Sequence, residues 1–490
     1  MSAETLKLPF RSLSVPNYRR YFVGQIISLS GNWMQIVAEM WLVLRLTNSS
    51  VALGLTAALQ FVPMLFAGAW GGLLADRLSK RRVLMVTQAL MALPALTLWI
   101  LTGTGVVTAP IVFALVFARG AINAIDNPAR QSFVMEMVGR VKVVNAVSLN
   151  SLIVHSARII GPAIAGTVIA TIGVAPCFLL NALSFGAMLM ALRLIDPSEL
   201  HAGKRASREP GQLREALRHV RDTPALRVPL ASMALVGTLS FNFQVTLPLM
   251  ARFAFHGTAT TYALLTTAMA VGAVSGALAA GARQKIETRV LAGAAFAFGA
   301  FSLAAAAAPT LGLEIVALAI TGAASVTFAA GINSLLQLTA SPSMRGRVMA
   351  LYSVVFLGST PIGAPITGWL AGAAGPRSTL VMAGVAALLG GIWLKLALKA
   401  KDSAHVHETV EQPIHVDARV VDRKRRSRRR GDAEPAHQRL RAMMPGANAH
   451  ARPAEDLSDI VRMRAGERER DERSAIGGVE RPVDREVRDL

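Results

Sequence analysis

The sequence predicts an all-α membrane protein of twelve transmembrane helices in two pseudo-symmetric six-helix bundles. Two observations carry most of this. About twelve mostly apolar runs of membrane length fall between residues 21 and 398, and a helix needs roughly 20 such residues to cross a ~30 Å hydrocarbon core. The chain also repeats itself. Gly68 and Gly72 recur as Gly272 and Gly276, 204 positions later. The run from Asn145-Ala146 to Gly161-Pro162-Ala163-Ile164-Ala165-Gly166 recurs from Met349-Ala350 to Gly363-Ala364-Pro365-Ile366-Thr367-Gly368. A third observation orients the bundle: every second loop is basic.

The runs lie at roughly 21–45, 51–75, 83–102, 108–126, 145–171 and 174–194 in the first half. In the second half they lie at roughly 228–251, 259–281, 289–308, 311–334, 348–373 and 377–398. Backbone groups in lipid must be satisfied within the segment, and the runs lack the two-residue alternation of a membrane barrel, so they read as helices. Lys and Arg gather before helix 1 (Lys7, Arg11, Arg19, Arg20) and after helix 2 (Arg77, Lys80, Arg81, Arg82). They recur after helices 4, 6, 8 and 10, while the alternate loops hold only Arg45, Arg252 and Arg377. This asymmetry places both termini in the cytoplasm.

The boundaries follow. Residues 1–20 are a cytoplasmic N-terminus, 21–195 the first bundle and 196–226 a cytoplasmic linker. Leu213, Leu217 and Val220 share one face of an amphipathic linker helix that Pro224 ends. Residues 227–398 form the second bundle, and 399–490 a tail without Phe, Trp, Tyr or Cys that reads as disordered. The net charge of +21 over 490 residues is therefore mostly topology. The basic run at 423–430 fits contact with anionic lipid as readily as anything more specific, and no nucleic-acid partner is expected. A lone cysteine, Cys177, excludes an intramolecular disulfide and a cysteine-based metal cluster. No cleavable signal is evident, because the first apolar run is too long for one.

Chemistry concentrates in a few polar positions inside apolar runs. Arg119 lies within helix 4, where an arginine is costly unless it faces the interior or water, and Asn123 and Asp126 follow on the same face. The sequence leaves open whether Arg119 contacts substrate, couples protons, snorkels to the cytoplasmic surface or pairs with Asp126. In helix 1, Asn32, Gln35 and Glu39 recur at i, i+3 and i+7; Asn32 and Gln35, with Asn123 of helix 4, are expected to line a cavity, and Glu39 is a candidate proton carrier or a residue reaching the outer interface. In helix 5, Ser148, Ser151, His155 and Arg158 form a polar face expected to line a cavity, and His155 belongs to the residue type that titrates near neutrality. Asn242 and Gln244 in helix 7 and Asn333 in helix 10 are the cavity candidates of the second half.

The loop after helix 2 reads Gly72-Leu73-Leu74-Ala75-Asp76-Arg77-Leu78-Ser79-Lys80-Arg81-Arg82. It resembles the signature loop of the major facilitator superfamily, with Ser79 and Lys80 replacing a glycine and an arginine. Gly72 lets helix 2 approach a neighbour, and Asp76 suits the positive N-terminal end of helix 11. Arg77 and Arg81 can pair with acids at neighbouring helix ends, Asp126 first among them, and such contacts would gate the cytoplasmic face. Gly161, Pro162 and Gly166 resemble the helix-5 motif of drug/proton antiporters in that superfamily. The remaining carrying residues, among them Asn17-Tyr18-Arg19, Gly31-Asn32-Trp33-Met34-Gln35 and Arg345-Gly346-Arg347-Val348, resemble the twelve-helix exporter group that includes bacterial enterobactin exporters.

The resemblance implies a secondary active exporter of a small amphipathic molecule, driven by proton antiport with alternating access. Proton-coupled uptake of a metabolite and a transporter-like membrane sensor are the alternatives. The implied partners are a small-molecule substrate, the proton and membrane lipid, with no cofactor, no metal and no enzymatic site. No ATP-binding loop of the Gly-x-x-x-x-Gly-Lys-Ser/Thr type occurs.

Overall fold

A computed structural model describes residues 11–201, 212–281, 288–342 and 344–411. Within these, the side chains of residues 67–77, 140–141, 144, 212–214, 216, 288 and 398–411 fall outside the description.

Long apolar helices make up the compact unit Met1–Thr409. α1 spans Pro16–Thr47, with Pro16 at its first turn, where the ring's fixed φ suits a helix start and no N–H is needed. Asn48 ends it in the left-handed region (φ 46°), its N–H bonding the Leu44 carbonyl. α2 (Ser50–Arg77) and α3 (Lys80–Gly103) follow. A helical stretch then runs from Ala109 to Ile172, broken by Gly139 at φ 66°, ψ 178°. That conformation is open almost only to glycine, so this one residue divides the stretch into α4 (Ala109–Gly139) and α5 (Asn145–Ile172). α6 (Ala175–Arg193) completes the first half.

The linker carries α7 (Gln212–Asp222), whose Val220 is buried while Leu217 is 57% exposed, so the two do not share one buried face. Asn17 holds the start of the linker by two hydrogen bonds to the Asp196 backbone, each of 2.9 Å. The Ser198 hydroxyl and N–H hold the Asp196 carboxyl below the usual carboxylate range. The second half begins with a helix in two pieces, α8 (Pro224–Ser240) and α9 (Phe243–Leu249), interrupted at Phe241-Asn242 and continued by a π-helical turn, Met250–Ala254. α10 (Ala259–Gly281), α11 (Thr288–Ala307) and α12 (Leu311–Thr339) are continuous. α13 (Arg345–Gly358) and α14 (Thr360–Ala374) form a second interrupted rod, and α15 spans Arg377–Glu411.

Among the described residues, ten helical spans are long and apolar enough to cross a membrane. α1 is not one of them: Gln25, Ser28, Ser30, Asn32, Gln35 and Glu39 within its apolar run lower its mean hydropathy. The described apolar part of α2 is the shorter Ser50–Phe66. The expected count of twelve depends on adding these two. Large apolar side chains such as Phe66, Leu278 and Trp369 are more than 60% exposed, which suits a lipid-facing surface.

Three sequence expectations change. Helix 4 was expected to stop at 126 but runs to Gly139, because Pro128 is tolerated inside it and Asp126 finds buried partners instead of ending the helix. Helices 7 and 11 were expected to be continuous and are each interrupted. The tail was expected to begin at 399, yet α15 continues to Glu411 through a segment rich in helix formers. The basic run at 423–430 lies outside the described residues.

Candidate functional site

Two buried polar networks sit within the first half, and a cavity lies between the halves. The first network centres on α1. Glu39 is 1% exposed and accepts a hydrogen bond from Arg119 Nη2 on α4 at 2.6 Å, forming a buried ion pair. Its other oxygen accepts from Gln35 Nε2 at 2.7 Å, one helical turn back. Gln35 Oε1 accepts in turn from Asn181 Nδ2 on α6, and Asn181 Oδ1 accepts from the Ser184 hydroxyl at 2.8 Å. The i, i+4 spacing of Gln35 and Glu39 puts both on the face of α1 that meets α4 and α6. A carboxylate with a guanidinium on one oxygen and an amide on the other is well satisfied in a dry interior. Arg119 Nε has no hydrogen-bond partner, so the guanidinium is only partly satisfied.

The second network lies nearer the basic loops. Asp126 is 1% exposed, accepts from the Thr87 hydroxyl at 2.6 Å and Gln88 Nε2 at 2.9 Å on α3, and pairs with Arg130 one turn on. Arg130 also donates to Gln25 on α1. The expected pairing of Arg81 with Asp126 is therefore absent. Arg81 instead donates to the Leu192 and Arg193 carbonyls at the end of α6, at 2.8 and 3.1 Å, a favourable place for a cation. The neighbouring ion pair is Lys80–Glu136, at 2.7 Å, which joins α3 to the extended end of α4. The side chains of Asp76 and Arg77 lie outside the described residues, as does anything beyond the backbone at Gly72.

The cavity encloses about 650 Å³ and takes its walls from both halves. Trp33, Ile36, Val37, Ala57, Phe61 and Arg158 come from the first half. Asn242, Gln244 and Asn333 come from the second, where the α8–α9 interruption brings Phe241, Asn242 and Phe243 to the wall. Interrupted helices of this kind line binding sites in membrane transporters. Arg158 stacks its guanidinium over the Trp33 ring, 4.8 Å from the centroid.

Of the residues expected at the cavity, Arg158, Asn242, Gln244 and Asn333 line it; Asn32, Gln35 and Asn123 do not. On α1 the cavity face is Trp33–Ile36–Val37, and Gln35 is turned away into the network with Glu39. Asn32 and Asn123 are half-buried. Ser148, Ser151 and His155 also do not line the cavity. Ser151 bonds the Val147 carbonyl one turn back, and His155 Nδ1 is buried without a partner. The expected common face of Arg119 and Asp126 splits, each serving a different network.

In the helix-5 motif, a Cβ on Gly161 would fall 2.5 Å from Trp33 Cβ and 2.6 Å from the Ser30 carbonyl, so this glycine seats α1 against α5, with the buried Pro162 beside it. A Cβ on Gly166 would fall 2.5 Å from Ala263 Cβ on α10 of the other half. The two halves meet equally closely at Gly54 and Gly368: a Cβ on either would fall 2.5 Å from a backbone carbonyl, of Ala364 and Ser50 respectively. Trp41 stacks on Tyr262 at the same end, with centroids 6.5 Å apart. This seam lies at the end of the bundle opposite the basic loops.

Sequence reasoning missed Asn181, the Lys80–Glu136 pair and the aromatic cavity wall. Asn181 carried a signal, a lone amide amid the apolar residues of α6. The aromatic wall carried none, because apolar side chains in a membrane helix do not reveal which way they face.

Comparison with known proteins agrees with this architecture. Residues 8–427 match the family described as transmembrane secretion effector. The chain is 27% identical to a staphyloferrin A transporter of Staphylococcus aureus, over 52% of this chain and 64% of that protein, just under two thirds of its length. It is 27% identical to the multidrug efflux pump Tap of Mycolicibacterium fortuitum, covering 74% and 91% of the two chains. It is 25% identical to the enterobactin exporter EntS of Citrobacter koseri, covering 78% and 92%. A bacterial homologue of the human lysosomal transporter Spinster, solved inward-facing and unoccupied, shares the fold with a TM-score of 0.62 at 14% identity, covering 78% and 97%. The chain belongs to the transmembrane secretion effector family of the major facilitator superfamily and is a multi-pass secondary transporter, not an enzyme.

Proposed function

We propose that the protein exports a small amphipathic molecule across the inner membrane by proton antiport, with both termini in the cytoplasm and all twelve expected helices spanning the bilayer. The observation that carries this reading is the cavity walled by both halves and sealed by the glycine-lined seam at the end away from the basic loops. With those loops in the cytoplasm, the seam is the outer gate, and the structure is the inward-facing member of an alternating-access pair. The names of the efflux relatives favour export over uptake.

The Glu39–Arg119 pair is the proposed coupling element. A proton arriving on Glu39 removes its charge, dissolves the ion pair and leaves a buried guanidinium seeking a new partner. That change spreads along Gln35 to Asn181, and so from α1 to α6. His155 and Arg158 on α5 are proposed as further coupling or substrate residues, Arg158 from the cavity wall. Asp76 is proposed to close the cytoplasmic side against the start of α13.

The test is transport into inside-out vesicles under an imposed pH gradient, screened over amphipathic compounds. Wild-type protein should accumulate a compound only while the lumen is acidic, and Glu39→Gln should lose that dependence while still binding the compound. Unchanged pH dependence in Glu39→Gln would move the coupling site elsewhere, and gradient-driven movement out of such vesicles would point to uptake.

A further inference from the structure

Arg158 is the only charged side chain on the cavity wall among the described residues. Among the described residues it has no ion-pair partner: the pairs there are Lys80–Glu136, Arg119–Glu39, Arg130–Asp126 and Arg347–Glu215. Its Nε is buried and makes no hydrogen bond; its guanidinium lies over the face of Trp33, and its described electrostatic neighbour, His155 one turn back, offers it no negative charge. An unpaired cation beside an apolar chamber is costly to keep. Stacking on an indole offsets part of that cost and fixes the plane of the guanidinium. The fork of donors is then held flat with no acceptor of the protein's own to fill it.

The second half supplies the complementary chemistry. Asn242 Oδ1 and Gln244 Oε1 are buried cavity-wall acceptors without a hydrogen-bond partner, while Asn242 Nδ2 is already used on the Thr238 carbonyl at 2.6 Å. Their unmet need is for donors. Between these polar elements the wall is aromatic. Phe241, Phe243 and Phe356 line it, and Tyr352 and Phe356 lie parallel with centroids 6.0 Å apart.

Resting on the export reading, we propose that the substrate is an amphipathic organic anion with a flat apolar body and a hydrogen-bond donor. Arg158 receives the carboxylate or sulfonate, the aromatic wall receives the body, and Asn242 and Gln244 accept from a hydroxyl or amide N–H. A planar guanidinium suits a carboxylate bidentately, which an ammonium does not. The size of the chamber suits a drug-sized ligand. Because the anion site belongs to the first half and the donor site to the second, one bound molecule ties the two together. The charge selects the substrate; the bridge tells the protein that it has arrived.

The experiment is equilibrium binding to the full chain in nanodiscs with three matched probes. 6-Hydroxy-2-naphthoate carries the anion, the ring and the donor; 6-hydroxy-2-naphthamide lacks the charge; 2-naphthoate lacks the donor. Wild-type protein is expected to prefer the hydroxynaphthoate to the naphthamide by tenfold or more. Arg158→Gln should erase that preference without losing the naphthamide, and Arg158→Lys should keep part of it. Asn242→Ala with Gln244→Ala should erase the preference for hydroxynaphthoate over naphthoate and leave the charge preference intact. Retained naphthamide binding shows that each variant has folded. Equal affinity for anion and amide in the wild type, an unchanged ratio in Arg158→Gln, or no hydroxynaphthoate binding at all would overturn the proposal. Anion-selective binding without pumping would sink the export reading instead, and pumping of the neutral probe alone would sink this one.

Discussion

Glu39 and Arg119 show how a cost becomes a constraint. Each charge alone would be expensive in this interior, and removing one partner of a buried pair costs about 3–5 kcal/mol because the other is stranded. Arg119→Gln should therefore lower the thermal unfolding temperature sharply in detergent. Adding Glu39→Gln to it should restore much of the loss, since two neutral amides can share a hydrogen bond. If the double variant is as unstable as the sum of the singles, the pair is not the stabilising unit. Asn181→Ala should fall between, because it strands the Gln35 carbonyl, at about 1–3 kcal/mol, while the Ser184 hydroxyl keeps the Asn181 backbone carbonyl as its acceptor. Glu39, Gln35 and Arg119 could be picked out in the sequence as polar residues in apolar runs. Their pairing could not, since it depends on the rotation of α1 about its axis, and the i, i+3, i+7 series with Asn32 suggested a different face.

At the scale of elements, glycine decides how the helices assemble. Gly139 supplies a backbone conformation that separates α4 from α5, Gly54 and Gly368 let two halves touch backbone to backbone, and Gly166 admits the Ala263 methyl. Gly368→Val would place branches against the Ser50 carbonyl, and overpacking of this kind costs about 1–3 kcal/mol. The expected outcome is a seam wedged open, read as a longer distance between spin labels at Val51 and Ala373. Gly103→Val, where an added Cβ meets nothing within 4 Å, is the control and should leave that distance unchanged. The existence of these helices was plain in their apolar runs. Their breaks were not, because Pro128 and Pro248 sit inside helices while the interruption at Phe241-Asn242 falls where no proline or glycine stands.

Over the whole molecule, the alternation of basic loops and the 204-residue repeat pointed to an oriented membrane protein of two homologous bundles before any geometry was known, because topology and duplication are written in composition and order; the superfamily came from the resemblance carried by the loop at 72–82. The cavity was not written that way. It arises from two surfaces contributed by segments some 200 residues apart in sequence, and a sequence shows each surface alone. Orientation is directly checkable, since the one cysteine, Cys177, is buried and leaves a quiet background. With an impermeant maleimide on intact cells, Thr104→Cys should label at once and Ser79→Cys only after permeabilisation. The reverse pattern would invert the proposed topology and with it the direction of opening.

The seam between the halves has one more property. It is closed by carbonyls, glycines, small side chains and an aromatic stack, with no carboxylate, ammonium or guanidinium among the contacts named there. Dispersion and close fit hold it, and ionic atmosphere scarcely reaches such forces. The gate is thus deaf to salt. Whatever ionic strength does to the arrival of a charged cargo, the latch at that end is governed by shape.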